Sequence, residues 1–299
     1  MRYASGLTAI LVVSILIWLG WEMFSSSRES IHQFGWAFLT GRVWDPVHKI
    51  FGAFPFIYGT LVTSLVALIV AGPIGLGVAI FLNEMAPAPV RSTAGFLVEL
   101  LAAIPSVVLG LWGIFVMGPF LGKIIEPWLA KWLGFLPLFQ GSPVGVDMLN
   151  GGLILAIMIL PTIASLSREV IAAVPSAQRE AALALGATKW EMIRIAVLAY
   201  AKSGIIGSVI LGLGRALGET MAVTMVIGNM PNISSSLFST AYSMAAVIAN
   251  EFSEATYSLY ISSLIEIGLI LFAITLLLNI LARLLVWSVA RGPKGGHLV

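Results

Sequence analysis

Long apolar runs recur along the chain and are separated by polar, proline-rich or tryptophan-containing stretches. A helix needs about 20 mostly apolar residues to cross a bilayer. Runs of this kind predict six transmembrane helices, at roughly 7–24, 60–82, 96–120, 152–166, 204–227 and 259–286. Internal prolines such as Pro73 and Pro161 are compatible with this interpretation, because neighbouring helices can satisfy the freed backbone groups. We therefore expect an all-α polytopic membrane protein.

The first apolar run has features of both a signal peptide and a retained anchor. Arg2 precedes it, as in a signal peptide. The run is about 18 residues long, however, and Trp21-Glu22-Met23-Phe24 follows without a small-x-small cleavage site. We therefore predict a retained anchor with its outer loop over 1–56, a transmembrane domain over 57–287 and a cytoplasmic tail over 288–299.

Composition supports a membrane location and excludes several classes of protein. Of 299 residues, 59% are hydrophobic and only 10% are charged, with a mean hydropathy of +1.01. A water-soluble core of this size cannot hide so much apolar surface. The net charge of +2 does not indicate a nucleic-acid binder. Without cysteines, and with three scattered histidines (His32, His48 and His297), no metal site is expected.

The distribution of Lys and Arg predicts the orientation. With the N-terminus inside, ten basic residues lie on the inner side and five on the outer side, leaving Arg215 within a helix. Cytoplasmic loops carry the excess of positive charge in membrane proteins. Both termini are therefore expected in the cytoplasm, with 25–56, 121–148 and 229–256 facing outward.

The longest predicted inner loop, 167–202, has its own helical signals. Pro175-Ser176 favours a helix start, Gly186 a stop, and Thr188 with Glu191 a capping box that restarts a helix. A solvated amphipathic loop is the alternative. The stretch Ala181–Leu185 is too apolar for a helix that meets only water, so we expect another surface to cover it.

The segment Glu180-Ala181-Ala182, with Gly186 four positions later, resembles the EAA loop of the ABC-importer permeases. The family pattern ends in Ile-x-Leu-Pro, whereas this chain has Ala-Val-Leu-Ala at 196–199. The resemblance implies a type I importer fold and a coupling helix that docks into a cytoplasmic ATPase. Glu180 would orient that contact, Gly186 would form the turn, and Ala181 and Ala182 would permit close approach.

No G-x-x-x-x-G-K-[ST] nucleotide loop occurs in the sequence. ATP with its magnesium ion would therefore bind a separate ATPase chain. This chain is expected to be a transport subunit with no cofactor and no enzymatic activity of its own.

The fifth predicted helix carries a charged pair, Arg215 and Glu219. An arginine near a helix centre costs about 2.5–3.5 kcal/mol on insertion scales, so it should not face lipid alone. The i,i+4 spacing predicts one shared helix face and partial neutralisation. Gly214 and Gly218 have the same spacing and would let another helix pack closely. Either the ion pair only fixes packing, or Arg215 is a cation in an anion pathway, where its fork of donors suits phosphate oxygens.

The stretch Arg215–Val223, together with the loop segment Arg179–Arg194, resembles the phosphate-specific permeases of the ABC importers. Phe51–Ser64 and Glu99–Gly113 resemble their PstC-type subunits, and the resemblance covers roughly 50–287. It implies import of inorganic phosphate by alternating access across the bacterial or archaeal inner membrane. Implied partners are a PstA-type permease, a PstB-type ATPase dimer and a PstS-type binding protein outside.

Alternatives stay open at this stage. They are a permease for sulfate or molybdate, an ATPase-independent channel or secondary transporter, and an assembly or sensing protein. Further pathway candidates are Thr220, Ser106 after Pro105, and Glu99, which either gates the pathway or pairs at the cytoplasmic interface. Glu266 is expected to make a helix-packing contact.

Overall fold

The computed structural model describes residues 2–290, so 291–299 of the predicted tail lie outside the described residues. Within that range the chain is helical, without strands and with two isolated bridges, Asp45–Ile50 and Gly228–Ala241. The helices of this range are α1 (Arg2–Ser26), α2 (Arg28–Phe34), α3 (Ala37–Thr40), α4 (Phe54–Ile80), α5 (Ala88–Ala102), α6 (Ser106–Trp112), α7 (Gly118–Phe120), α8 (Glu126–Leu133), α9 (Met148–Ala172), α10 (Ser176–Ala184), α11 (Lys189–Met192), α12 (Ala199–Leu217), α13 (Met221–Val226), α14 (Met244–Glu251) and α15 (Ser258–Ala290).

Short segments of wider or tighter helix join several of these elements. π-helical turns cover Phe81–Met85, Gly113–Met117, Leu121–Ile125 and Ile193–Leu198, and a 3₁₀ turn covers Pro137–Phe139. The π-turns make α6 to α8, and likewise α11 and α12, continuous helical rods.

Six helical rods among the described residues are long and apolar enough to cross a membrane, which confirms the predicted number. They are Gly6–Ser26, Phe54–Met85, Ser106–Leu133, Met148–Ala172, Lys189–Leu217 and Ser258–Ser288. Several predicted boundaries were wrong. The third rod ends at Leu133 instead of about 120, and the fifth begins at Lys189 instead of about 204. Two further shifts concern ends that fall inside the predicted apolar runs. The third rod begins ten residues later than expected, and the fifth ends before Gly218 instead of continuing to 227.

Both shifts have a backbone cause. Pro105 disfavours helical backbone in the residue before it, so α5 ends at Ala102 and α6 begins at Ser106. Gly218, a residue of low helix propensity, stands immediately after the last residue of α12. The chain then restarts as α13.

The core forms where α9 packs against α4 on one side and α12 on another. Glycines permit the close approach. A Cβ at Gly152 would lie 2.5 Å from Val66, and one at Gly212 would lie 2.8 Å from Ile163. Ile159 and Ile163 of α9 are fully buried in this core. Helix α9 is therefore the central element against which the candidate site is positioned.

The segment predicted as the first outer loop contains α2 and α3 and packs onto residues 242–267. Aromatic side chains dominate this contact, and the Trp44 ring lies 4.9 Å from that of Phe56. The Glu251 carboxylate accepts hydrogen bonds from Trp44 Nε1 at 2.7 Å and from the Tyr260 hydroxyl at 2.6 Å. This end of the molecule is therefore an ordered cap.

Helix α1 lies at the periphery and packs against α15 and α2. A Cβ at Gly20 would meet the Phe272 ring at 3.4 Å. Below this contact, the Ser30 backbone N–H donates to the Ser262 hydroxyl at 3.1 Å. The N-terminal segment is thus attached mainly to α15.

Candidate functional site

The inner elbow, defined here as residues 176–192, has the local structure that its sequence predicts. Helix α10 begins at Ser176, and Gly186 makes the turn with φ +86°. The Thr188 hydroxyl accepts from the Glu191 N–H at 3.3 Å, and the Thr188 N–H donates to Glu191 Oε2 at 2.8 Å. This confirms the capping box. The second helix is not a separate loop helix, however, because α11 runs through the π-turn into α12.

The inner elbow has one exposed face and one face that is buried against the rest of the chain. Glu180 and Ala181 are exposed, and Leu185 is 90% exposed. Ala182, by contrast, is buried in a cluster with Met192. Ala182 therefore permits packing within this chain and is unavailable to another subunit, contrary to the expectation. The exposed apolar residues are the surface that we expected to be covered.

Arg179 anchors the inner elbow to the rest of the chain, a role that the sequence reasoning missed. Its guanidinium donates to Glu84 Oε1 at 2.9 Å and to the Ile171 carbonyl at 2.9 Å, and it also donates to the Val174 carbonyl. The Glu84 side chain is 8% exposed and that of Arg179 is 21% exposed. These contacts, which we call the Arg179 clamp, fix α10 against the end of α9 and against the end of the rod that begins with α4.

Arg215 lies in the last turn of α12 and is exposed in this chain. Its Nη1 donates to the Thr162 hydroxyl of α9 at 3.1 Å. The predicted Arg215–Glu219 ion pair is wrong within residues 2–290, where ion pairs join other residues. Because α12 ends at Leu217, the two side chains do not share a helix face. Glu219 instead accepts from the Ala222 N–H at 3.3 Å, at the start of α13.

Helices α6 and α13 run side by side and start at the same end. A Cβ at Gly110 would lie 3.1 Å from Ala222 Cα, and one at Gly113 would lie 2.7 Å from Val226. From the first contact to the second, the residue numbers increase in both helices, so the helices are parallel. Ser106 and Thr220, which stand at the two helix starts, are therefore at similar depth.

The same packing relates this depth to Arg215. Ile154 of α9 faces Gly113, and Met158 packs with Ala222. One turn further along α9 comes Thr162, the partner of Arg215. Arg215 and Thr162 thus lie at a depth similar to that of Ser106, Glu219 and Thr220, and we call this depth the arginine level. Thr162 was not predicted.

The predicted glycine packing pair has open space around it. Nothing in the described chain lies within 4 Å of a Cβ built at Gly214, and Gly218 meets only the Gly214 carbonyl. Within α12, the glycines that permit close approach are Gly204, where a Cβ would lie 2.4 Å from Val170, and Gly212. Close packing at Gly214 and Gly218 stays a prediction for a helix of another chain.

Glu99 lies on α5, away from the arginine level. Its predicted place at the start of the third transmembrane helix was wrong. Its Oε1 accepts from Arg168 Nη2 of α9 at 3.0 Å. This geometry corresponds to the pairing alternative. Both residues line a polar cavity of about 350 Å³ with Asn83, Arg91, Ser92, Gly95 and Phe96.

Buried carboxylates elsewhere were not singled out by the sequence reasoning. Glu126 and Asp147 are fully buried, and Glu126 Oε1 and Asp147 Oδ2 have no hydrogen-bond partner among residues 2–290. Burial raises the pKa of the Asp147 carboxyl, which also caps α9 by accepting from the Asn150 N–H. Glu266 is 6% exposed, consistent with the packing position expected for it.

Comparison with known proteins identifies the class. A family model described as the binding-protein-dependent transport system inner membrane component matches residues 71–291. The match covers more than half of the chain, so the chain belongs to this family and is a multi-pass permease subunit.

Individual relatives narrow the similarity. The chain is 48% identical over 279 residues to the phosphate transport system permease protein PstC of Mesorhizobium japonicum, covering 92% of this chain and 85% of the relative. It is 46% identical over 289 residues to PstC of Haemophilus influenzae, covering 95% and 91%. The similarity to phosphate-specific ABC permeases expected from the sequence is confirmed.

Solved structures support the fold. A bacterial alginate ABC transporter, in complex with an alginate-bound periplasmic protein, matches with a TM-score of 0.62 at 19% identity, covering 97% of this chain and 96% of that chain. The MetNI methionine transporter matches with a TM-score of 0.57 at 18% identity, covering 79% and 94%. The chain therefore has the type I ABC importer permease fold.

Proposed function

We propose that this chain is the permease subunit of an ATP-driven importer that moves inorganic phosphate across the cytoplasmic membrane, with both termini in the cytoplasm. The observation that supports this proposal is the arginine level, where the Arg215 guanidinium donates to the Thr162 hydroxyl at a depth similar to that of the starts of α6 and α13. The 46–48% identity to phosphate permeases supports the choice of anion.

The chemistry of the arginine level suits hydrogen phosphate. Arginine has five N–H donors and remains charged at any relevant pH, and Thr162 takes one donor. The remaining fork matches phosphate oxygens, while the Ser106 and Thr220 hydroxyls can donate or accept. An ionised Glu219 carboxylate only accepts hydrogen bonds. It would accept one from the P–O–H group of hydrogen phosphate, whereas sulfate has no O–H group to donate.

The exposure of Arg215 supports a pathway shared with a second subunit. A guanidinium on an open face at membrane depth needs a polar or charged neighbour. A PstA-type permease would close this face and enclose the arginine level. A PstS-type binding protein would deliver phosphate from the outside.

The inner elbow supplies the proposed contact with a PstB-type ATPase dimer, which would bind ATP and magnesium. Glu180, Ala181 and the exposed leucine next to Gly186 form the proposed docking face. ATP-driven closure of the ATPases would move α10, and with it the rod that carries Arg215. The anion would then meet an outward-open arginine level first and a cytoplasm-open one after hydrolysis.

The test is phosphate uptake by the reconstituted complex carrying Arg215→Gln. Arg194→Gln is the matched control, because Arg194 is also an exposed arginine of the same rod. We expect uptake to fall at least about tenfold only in the Arg215 variant, as for the loss of a charge-assisted contact, with ATPase still bound.

Three results would contradict the proposal. Uptake within twofold of the parent after Arg215→Gln would exclude the pathway role. Sulfate uptake without phosphate uptake would exclude phosphate as the substrate. Phosphate flux through liposomes that contain this chain alone would indicate an ATPase-independent channel.

A further inference from the structure

The polar cavity between α5 and α9 is lined by two guanidinium groups, one from each helix. Arg168 reaches it from α9, and Arg91 reaches it from the first turn of α5. The volume of about 350 Å³ falls within the range of ligand pockets. With Glu99 as the acidic member, its lining carries a net positive charge.

The backbone makes room for Arg168. A Cβ at Gly95 would lie only 2.3 Å from Arg168 Nη1, so any other residue there would displace the guanidinium. The Arg168 carbonyl is also held, because it accepts from Asn83 Nδ2 at 2.6 Å. The position of Arg168 beside the cavity is thus fixed from two sides.

Arg91 is held by its Nη2 alone, which donates to the Asn83 carbonyl at 3.0 Å. Its other guanidinium nitrogens make no hydrogen bond within the described chain and remain available to a ligand. The next residue, Ser92, adds a hydroxyl. The first turn of α5 contributes the positive end of a helix dipole, which favours anions.

Another anion can replace Glu99 as the partner of Arg168. The ion pair is 3.0 Å long, but the Glu99 side chain is 61% exposed. An exposed ion pair contributes little net free energy, so a stronger acceptor can take its place. Phosphate oxygens match a guanidinium bidentately and carry more charge than a carboxylate.

We propose that Arg91, Ser92 and Arg168 form a binding site for a phosphate group, from which Glu99 is displaced. The group belongs either to an anionic lipid or to free inorganic phosphate. An exposed apolar surface on α5 adjoins the cavity, with Phe96 61% and Leu97 58% exposed, and it would accommodate acyl chains. The site is separate from the arginine level and does not depend on which anion is transported.

The experiment uses the purified complex carrying Arg215→Gln, so that phosphate at the arginine level does not contribute. Thermal unfolding is followed while inorganic phosphate, short-chain phosphatidylglycerol or diacylglycerol of the same chain length is added. We expect Arg168→Gln to lower the apparent affinity for a phosphate-bearing ligand about tenfold, and Glu99→Gln to raise this affinity. Arg194→Gln should respond like the parent.

The outcomes separate the two sources and expose failure. A response to phosphatidylglycerol but not to phosphate assigns a lipid headgroup, and the converse assigns the free ion. If Arg168→Gln prevents assembly, Ser92→Ala replaces it, with weakened binding expected. No response to either phosphate compound, or equal responses in the Arg168 and Arg194 variants, would overturn the proposal. Because the transport pathway is already disabled, either failure leaves the proposed function untouched.

Discussion

Removing the Arg179 clamp should destabilise the inner elbow by a predictable amount. Arg179→Met keeps much of the aliphatic stem but removes the donors to Glu84, Ile171 and Val174. Glu84 would then be a buried carboxylate without its cation. Breaking a buried pair by removing one partner costs roughly 3–5 kcal/mol. The 21% exposure of Arg179 places our expectation near the lower end, about 3 kcal/mol.

Urea unfolding of the purified chain in detergent, followed by tryptophan fluorescence, measures this change. The double variant Arg179→Met with Glu84→Gln removes the stranded charge. It should therefore be about 1–2 kcal/mol more stable than the sum of the single effects predicts. Arg194→Met, at an exposed position, should change stability by no more than about 0.5 kcal/mol. Equal losses for Arg179 and Arg194, or strict additivity with Glu84, would refute the clamp.

Two further predictions concern the turn of the inner elbow. Gly186 has φ +86° with open space around a Cβ, so Gly186→Val should cost about 1–2 kcal/mol of stability through backbone strain alone and should reduce stimulation of the ATPase. Gly186→Asn should retain most of the stability and most of the stimulation, because asparagine tolerates this backbone conformation. Equal losses in the two variants would contradict this reasoning. Hydrogen bonds from the Thr188 N–H and hydroxyl lower the pKa of Glu191 from 4.5, so the capping box should stabilise the turn at neutral pH and weaken as pH falls below that value. Amide hydrogen exchange at 188–191, corrected for intrinsic rates, should show this loss in the parent, and a Glu191→Gln chain that keeps the same pH dependence would exclude Glu191 as its source.

Hydrophobic run length was enough to predict the number of membrane-spanning rods, because a bilayer selects for length and apolarity directly. The capping box at Thr188 was predictable for a similar reason, since its geometry involves neighbours three residues apart. Both features depend on local sequence alone.

Two of the boundary errors occurred where one residue interrupts an apolar run. Pro105 and Gly218 lie inside continuous hydropathy, and their low helix propensity was available as a signal. A stricter reading would have separated Glu99 from the third rod and Glu219 from α12. The Arg215–Glu219 pairing was wrong for this reason.

Other features depend on contacts between distant residues. Thr162 and Arg215 are 53 positions apart, and Glu84 and Arg179 are 95 positions apart. Neither partner is marked by its own sequence neighbourhood. Only the packing of α9 against α12, and of α10 against the end of the second rod, brings them together.

The attachment of α1 to α15 has a consequence for biogenesis. Phe272, which meets Gly20, lies 252 positions later in the chain. At about 5–20 residues per second, a ribosome needs on the order of 10–50 seconds to make the residues between them. During that interval α1 cannot contact α15 and is surrounded mainly by lipid and the insertion machinery. Ser30 of the following helix α2 likewise lacks its Ser262 partner until α15 has been made.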